Sequence, residues 1–342
     1  MYEYEELSEE ELKRRRAAAR RGKLAAREHR RKKRRRQAIM RCSILLLTVI
    51  LLITGVVKMI TGIGKHFHKN KTTEKVTEQR TDSTTQAPTT EASIPETSKD
   101  ITAKELPADR DAALAELKIQ GESDSDLQSI YKNAALYPDK ILQNLAINSE
   151  MKQFVIDYPA KINIVFDGDF TVDVSTDEVP LFLQYDERWG YADYGTSIIA
   201  ISGCGPTCLS MAYTYVKQDG SMNPVKVADF SMERGYIGET NDTSWALMTE
   251  GARGLGLTSE ELSLSKEDMT AALENNKVII CSMSPGDFTR NGHFILIRSY
   301  ENGLFYVNDP YSEARSQVGW DYERLSTQIS NMWAIGQSTP PQ

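Results

Sequence analysis

Gly203-Cys204-Gly205-Pro206-Thr207-Cys208-Leu209 is the stretch on which the fold turns. Proline suits the first turn of a helix, where its missing N–H would be unpaired anyway. The spacing predicts a helix from Pro206 to Lys217. The two glycines let the chain turn sharply and let another group approach its backbone. Cys204 is thereby placed at a helix N-terminus, where the positive end of the dipole favours thiolate, the nucleophilic form of cysteine. Cys208 lies one turn further in, beside Leu209, Met211 and Ala212, and reads as a buried structural thiol.

A thiolate nucleophile needs a base, and the base needs an orienting group. Of the four histidines, His29 lies in a basic head and His66 and His68 follow an apolar run. His293, in Asn291-Gly292-His293-Phe294-Ile295, is the one left for the body of the chain. Strands are expected over His293–Tyr300 and Leu304–Asn308, joined by Glu301-Asn302-Gly303, a strong turn signal. A three-residue loop there sets His293 opposite Tyr311 and makes Asp309 its diagonal neighbour. A two-residue turn sends Asp309 to the other face unless a bulge intervenes. Asn308 is the rival orienting group, but its neighbouring position points the opposite way. Cys42, Cys204, Cys208 and Cys281 complete the thiol inventory. The body holds three of these, so at most one disulfide can form within it. Their spacing is not that of paired zinc ligands, and no metal or other cofactor is expected.

Working outward, further helices are expected near 224–234, 243–254 and 266–275, with a buried strand over Lys277–Met283. Helices first and paired strands later give an α+β body over residues 173–338. Residues 107–172 form a small helical module, with short periodic pieces punctuated at Tyr137-Pro138 and Tyr158-Pro159. Leu117, Leu127, Ile141, Leu142, Leu145 and Phe154 would line its inner side. It lacks histidine and cysteine, and its reading is structural.

The charge is uneven. Residues 1–41 carry 16 Lys/Arg against 7 Asp/Glu, leaving 25 basic and 41 acidic residues downstream. An acidic body repels phosphates, so no nucleic acid is expected as a partner. Residues 42–64 are apolar apart from Lys58, and a helix over them would span a hydrocarbon core about 30 Å thick. The Arg30–Arg36 cluster precedes that span, which predicts a cytoplasmic N-terminus and an exported C-terminal body. Ser8 with Glu11 forms a capping-box pattern for a short cytoplasmic helix. Residues 65–106, rich in Thr, Ser and Pro, cannot bury enough surface to fold and read as a stalk.

Four motifs now stand in order: Val179-Pro180-Leu181-Phe182-Leu183-Gln184-Tyr185-Asp186-Glu187-Arg188-Trp189-Gly190, Gly203-Cys204-Gly205-Pro206-Thr207, Gly292-His293 and Asn308-Asp309-Pro310. Over roughly residues 178–338 they resemble the peptidase family thirty-nine-like cysteine peptidases of the papain clan, akin to the double-glycine leader peptidases of bacteriocin exporters. The resemblance implies a papain-like fold, with Cys204 as nucleophile, His293 as base, Asp309 as orienting group and Gln184 as oxyanion-hole donor. It implies a thiol peptidase; with the predicted topology its substrates would be peptides or proteins at the cell surface. Leader specificity does not carry over, because those peptidases work on the cytoplasmic side and no transporter segment follows here. A cell-wall amidase or endopeptidase, and a non-catalytic surface interaction module on the same fold, are the competing functions.

Overall fold

The structure, a computed structural model, describes residues 101–338. The basic head, the apolar run 42–64 and nearly all of the Thr/Ser-rich stretch lie outside the described residues. No helix among the described residues is long and apolar enough to cross a membrane.

The helical module comes first: α1 (Arg110–Gln120), α2 (Ser125–Lys132), α3 (Asp139–Ile147) and α4 (Lys152–Lys161). Asp109 and Asp124 accept first-turn N–H bonds and cap α1 and α2. Helix α4 runs through Pro159 instead of stopping at Tyr158-Pro159, and it ends two residues later. Leu117, Leu142, Leu145 and Val155 are fully buried. Their core is continuous with Tyr185, Tyr191, Ile198 and Ala200 of the following region. Phe154 stacks on Tyr191, centroids 4.2 Å apart, and a Cβ on Gly190 would stand 2.7 Å from the Phe154 ring. The module therefore shares a core with the body.

The body is a six-stranded antiparallel sheet with helices on both faces, as an α+β reading expects. Its strands are β3 (Leu257–Glu261), β4 (Val278–Met283), β5 (His293–Glu301), β6 (Leu304–Asn308), β7 (Gly319–Trp320) and β8 (Ile329–Gln337), in the order β3-β8-β4-β5-β6-β7. A two-stranded ribbon, β1 (Asp193–Tyr194) with β2 (Ser197–Ile198), precedes it. Alternation sends Ile280, Phe294, Leu296 and Trp333 to one face and Ile279, Ile295, Ile297 and Met332 to the other. The first face packs on the Cys204–Lys217 helix, whose Cys208, Leu209 and Ala212 are fully buried there. The second packs on Met269 and Ala272 of the Lys266–Glu274 helix.

Two further expectations change. The cysteine helix begins at Cys204, two residues before Pro206, because a one-turn helix (Ile199–Ser202) leads directly into it through Gly203. Residues 243–254 do not form one helix. A 3₁₀ turn (Trp245–Leu247) gives way to a short helix (Glu250–Gly254), where two glycines weaken helix propensity.

Candidate active site

Gly203 and Gly205 serve the site through space rather than through backbone freedom, since neither has a positive φ. A Cβ on Gly203 would lie 2.6 Å from the Ile199 carbonyl oxygen, and one on Gly205 would lie 2.6 Å from Thr243 Oγ1. Only glycine permits these two close approaches. Between them Cys204 starts its helix half-buried, beside a first turn whose N–H groups have no acceptor within the helix.

The hairpin carries the base and its partner. The turn is the two-residue kind: Glu301 pairs with Leu304, and Asn302 and Gly303 take φ of 52° and 86°. Alone, that register would send Asp309 to the wrong face. Pairing runs through Ser299 and Tyr306, then resumes at Ile297 and Val307, with Arg298 bulged between. The bulge restores the register that a three-residue loop would have given. His293 Nε2 and Asp309 Oδ1 are accordingly 2.7 Å apart. With Nε2 so engaged, Nδ1 is the nitrogen left for a thiol. Burial opposes charge on His293. The Asp309 carboxylate, with the neighbouring Cys204, outweighs it and raises the imidazolium pKa to about 9.

Asp309 is fully buried and held on both oxygens. Oδ1 also accepts from Tyr311 N at 2.8 Å, and Oδ2 accepts from Arg315 Nε at 2.5 Å. Burial alone would raise its pKa, but the Arg315 and His293 charges hold the carboxyl low. Asn308 points away, as its strand position requires. Its Nδ2 donates to the Val179 and Pro180 carbonyls, and its Oδ1 accepts from Arg298. Asn308 thus straps the 179–184 segment beside the end of β6, and Gln184 N donates to Pro310 O at 2.7 Å.

Gln184 is almost fully buried, and its Nε2 donates to Ala200 O at 2.8 Å. That carbonyl can only accept, so the orientation of the amide is fixed. Nε2 keeps a second N–H, and the buried Oε1 has no partner. Gln184, Cys204 and His293 line one cleft of about 330 Å³. Ile101 to Lys104 form another wall of it, held through backbone groups. Ala103 N donates to Asp287 O at 2.7 Å, Arg290 Nε donates to Ala103 O at 2.9 Å, and Arg315 Nη1 donates to Ile101 O at 3.1 Å.

The other two thiols behave differently. Cys208 and Cys281 are wholly buried and burial raises both pKa values; Cys208 Sγ lies 3.3 Å from Phe294 O. None of the three cysteines among the described residues is in a disulfide.

Sequence reasoning did not find Arg315, or Tyr311 as a neighbour of the site. Arginine six residues beyond Asp309 carries no local signal, and only the fold makes it a buried partner. Tyr311, edge-on to His293 at 6.3 Å, enters the sequence pattern only as a strand-register position.

Residues 176–339, just under half of the chain, match the model of a family described as Peptidase_C39 like family. No curated protein matches the chain. Among solved structures, one described as a C39-like peptidase from Bacillus anthracis is 15% identical to this chain. It covers 50% of this chain and 100% of its own, with a TM-score of 0.31, too low to carry an argument. The family match supports the resemblance that the four motifs carry.

Proposed function

We propose that this C39-like region is a cysteine peptidase that hydrolyses peptide bonds through Cys204, His293 and Asp309. The observation that carries the reading is one arrangement: His293 bonded to Asp309 through Nε2 at 2.7 Å, in the same cleft as Cys204 at the start of a helix. Cys204 Sγ attacks the scissile carbonyl carbon as thiolate. The developing oxyanion accepts hydrogen bonds from Cys204 N–H and from the second N–H of Gln184 Nε2. His293 gives its proton to the leaving amine as the C–N bond breaks. It then takes a proton from the water that hydrolyses the thioester, which frees the acid product and returns the thiol. Asp309 holds the imidazole ring and favours its charged form.

On the same reading the enzyme acts outside the cell. Residues 42–64 would anchor it as a single span, with the basic head cytoplasmic and peptides or proteins at the cell surface as substrates. The support for this is the Arg30–Arg36 cluster before one apolar run. Protease added to intact cells should release the body and spare the head, and a protected body would reverse the orientation.

A thiol-directed probe tests the chemistry. Among Cys204, Cys208 and Cys281, iodoacetamide should label Cys204 fastest near neutral pH. Cys204→Ala should abolish labelling there and turnover together. Equal labelling of all three, unchanged in His293→Ala, would leave a non-catalytic module on this fold. A chain that labels at Cys204 but releases fragments only from cell wall would make it a wall amidase.

A further inference from the structure

We propose that Glu150, supplied by the helical module, is a positioning residue for the Asp309–His293 pair; this rests on the peptidase reading above. Glu150 follows α3 in a short 3₁₀ turn and is half-buried. Its Oε2 accepts from Tyr185 OH and Glu313 N, each at 2.6 Å, and its Oε1 accepts from Ser312 Oγ at 2.9 Å and Ala314 N at 3.2 Å. Glu313 and Ala314 open a one-turn helix (Glu313–Ser316). A single turn leaves its first N–H groups without acceptors of its own. A carboxylate from more than 160 residues away supplies both of them.

That turn matters because of what it carries. Arg315 bonds Asp309 Oδ2, and Ser316 Oγ accepts from Asp309 N at 2.9 Å. Asp309 is thus gripped on backbone and side chain by the helix that Glu150 caps. The same stretch of the module makes two further bonds to the residues just before it. Asn148 Nδ2 donates to Tyr311 O at 2.8 Å, and Tyr311 OH donates to Asn144 Oδ1 at 2.7 Å. Of these three ties, only the one through Glu150 is charged, and only it reaches the turn bearing Arg315. Loosening it lets Asp309 drift from the imidazole, and a misplacement on the order of 1 Å can cost about 100-fold in rate.

The test compares full-length Glu150→Gln with the native chain. Glutamine keeps the size, but its amide nitrogen cannot accept from a backbone N–H. The expected result is a loss of about tenfold or more in kcat with KM within about twofold. The alkaline limb of kcat should also move to lower pH, because a displaced Asp309 supports less charge on His293. Glu150→Asp, which keeps both acceptor oxygens, should recover part of both. An inert staple between module and body would shift the melting temperature but leave the limb where it was. A native-like limb and kcat in Glu150→Gln therefore overturn the proposal. If Glu150→Gln does not fold, the aspartate variant is read instead, and an unmoved limb in it is equally fatal. The pH dependence of Cys204 alkylation, followed without any substrate, separates the two readings. A shifted alkylation profile in a chain that cleaves no peptide keeps the role of Glu150 and sinks the peptidase. Turnover with an unshifted profile does the reverse.

Discussion

His293 is pulled two ways, and which pull wins sets a pH window. Its ordinary pKa near 6.5 is raised to about 9 by Asp309 and Cys204 against the cost of burial. The group is raised, so its contribution to stability is complete below about 6.5 and is lost as pH climbs towards about 9. Protonation of the leaving amine follows the same charge, and kcat should fall about tenfold per unit above pH 9. Melting curves and initial rates taken between pH 6 and 10 check both, and His293→Ala should remove the stability slope. His293 and Cys204 of the proposed site are legible because their types are scarce: four histidines and four cysteines in the whole chain. Arg315 and Glu150 were not legible. Arginine and glutamate are common surface residues, and nothing local distinguishes one that is folded against a buried carboxylate.

Among the elements, those built on local signals were read and those built on distant pairing were not. Helices Pro224–Arg234 and Lys266–Glu274 stand within the stretches near 224–234 and 266–275 where the pattern places them, and the chain turns within Glu301-Asn302-Gly303. Strand β8 gave no such sign. Its run Ile329-Ser-Asn-Met-Trp-Ala-Ile-Gly-Gln337 has little alternation, and it is a strand because β3 and β4 pair with it on either side. The 179–184 segment belongs to no strand; Asn308 holds it with two side-chain bonds to its carbonyls. Asn308→Ala leaves those buried acceptors and the Arg298 guanidinium short of partners. Unfolding titrations should show a loss of about 1–3 kcal/mol. Because the same segment delivers Gln184, turnover should drop in parallel, while alkylation of Cys204 should change little.

At the scale of the molecule, the helical module and the body share one core and jointly frame the cleft. The boundary near residue 172 that composition drew is not a seam in the packing, since Tyr185, Tyr191 and Ala200 belong to the module's core. Composition could not show this, because an apolar residue at a shared face looks like any other core residue. The first described residues also run along the cleft wall, where the backbone of Ala103 bonds Asp287 O and the Arg290 side chain. Ala103→Pro deletes the N–H that reaches Asp287 O and should loosen this wall. The expected outcome is faster iodoacetamide labelling of Cys204 with an unchanged melting temperature. Slower or equal labelling would mean that the wall does not restrict the thiol.

The bulge at Arg298 has a consequence for which deletions the hairpin can absorb. Nine residues stand between Ile297 and Val307, an odd number that cannot divide evenly around a two-residue turn. Arg298 is the remainder. Deleting it leaves eight, which close as an ordinary hairpin with Ile297 still opposite Val307, so His293 and Asp309 keep their faces. Deleting Leu296 instead moves His293 opposite Pro310 and turns Asp309 away. The hairpin can therefore lose a residue at the bulge but not in the paired stem between the bulge and the site. In the laboratory, Arg298 deletion should retain measurable turnover despite its lost bonds to Asn308 and Ser316, whereas Leu296 deletion should retain none.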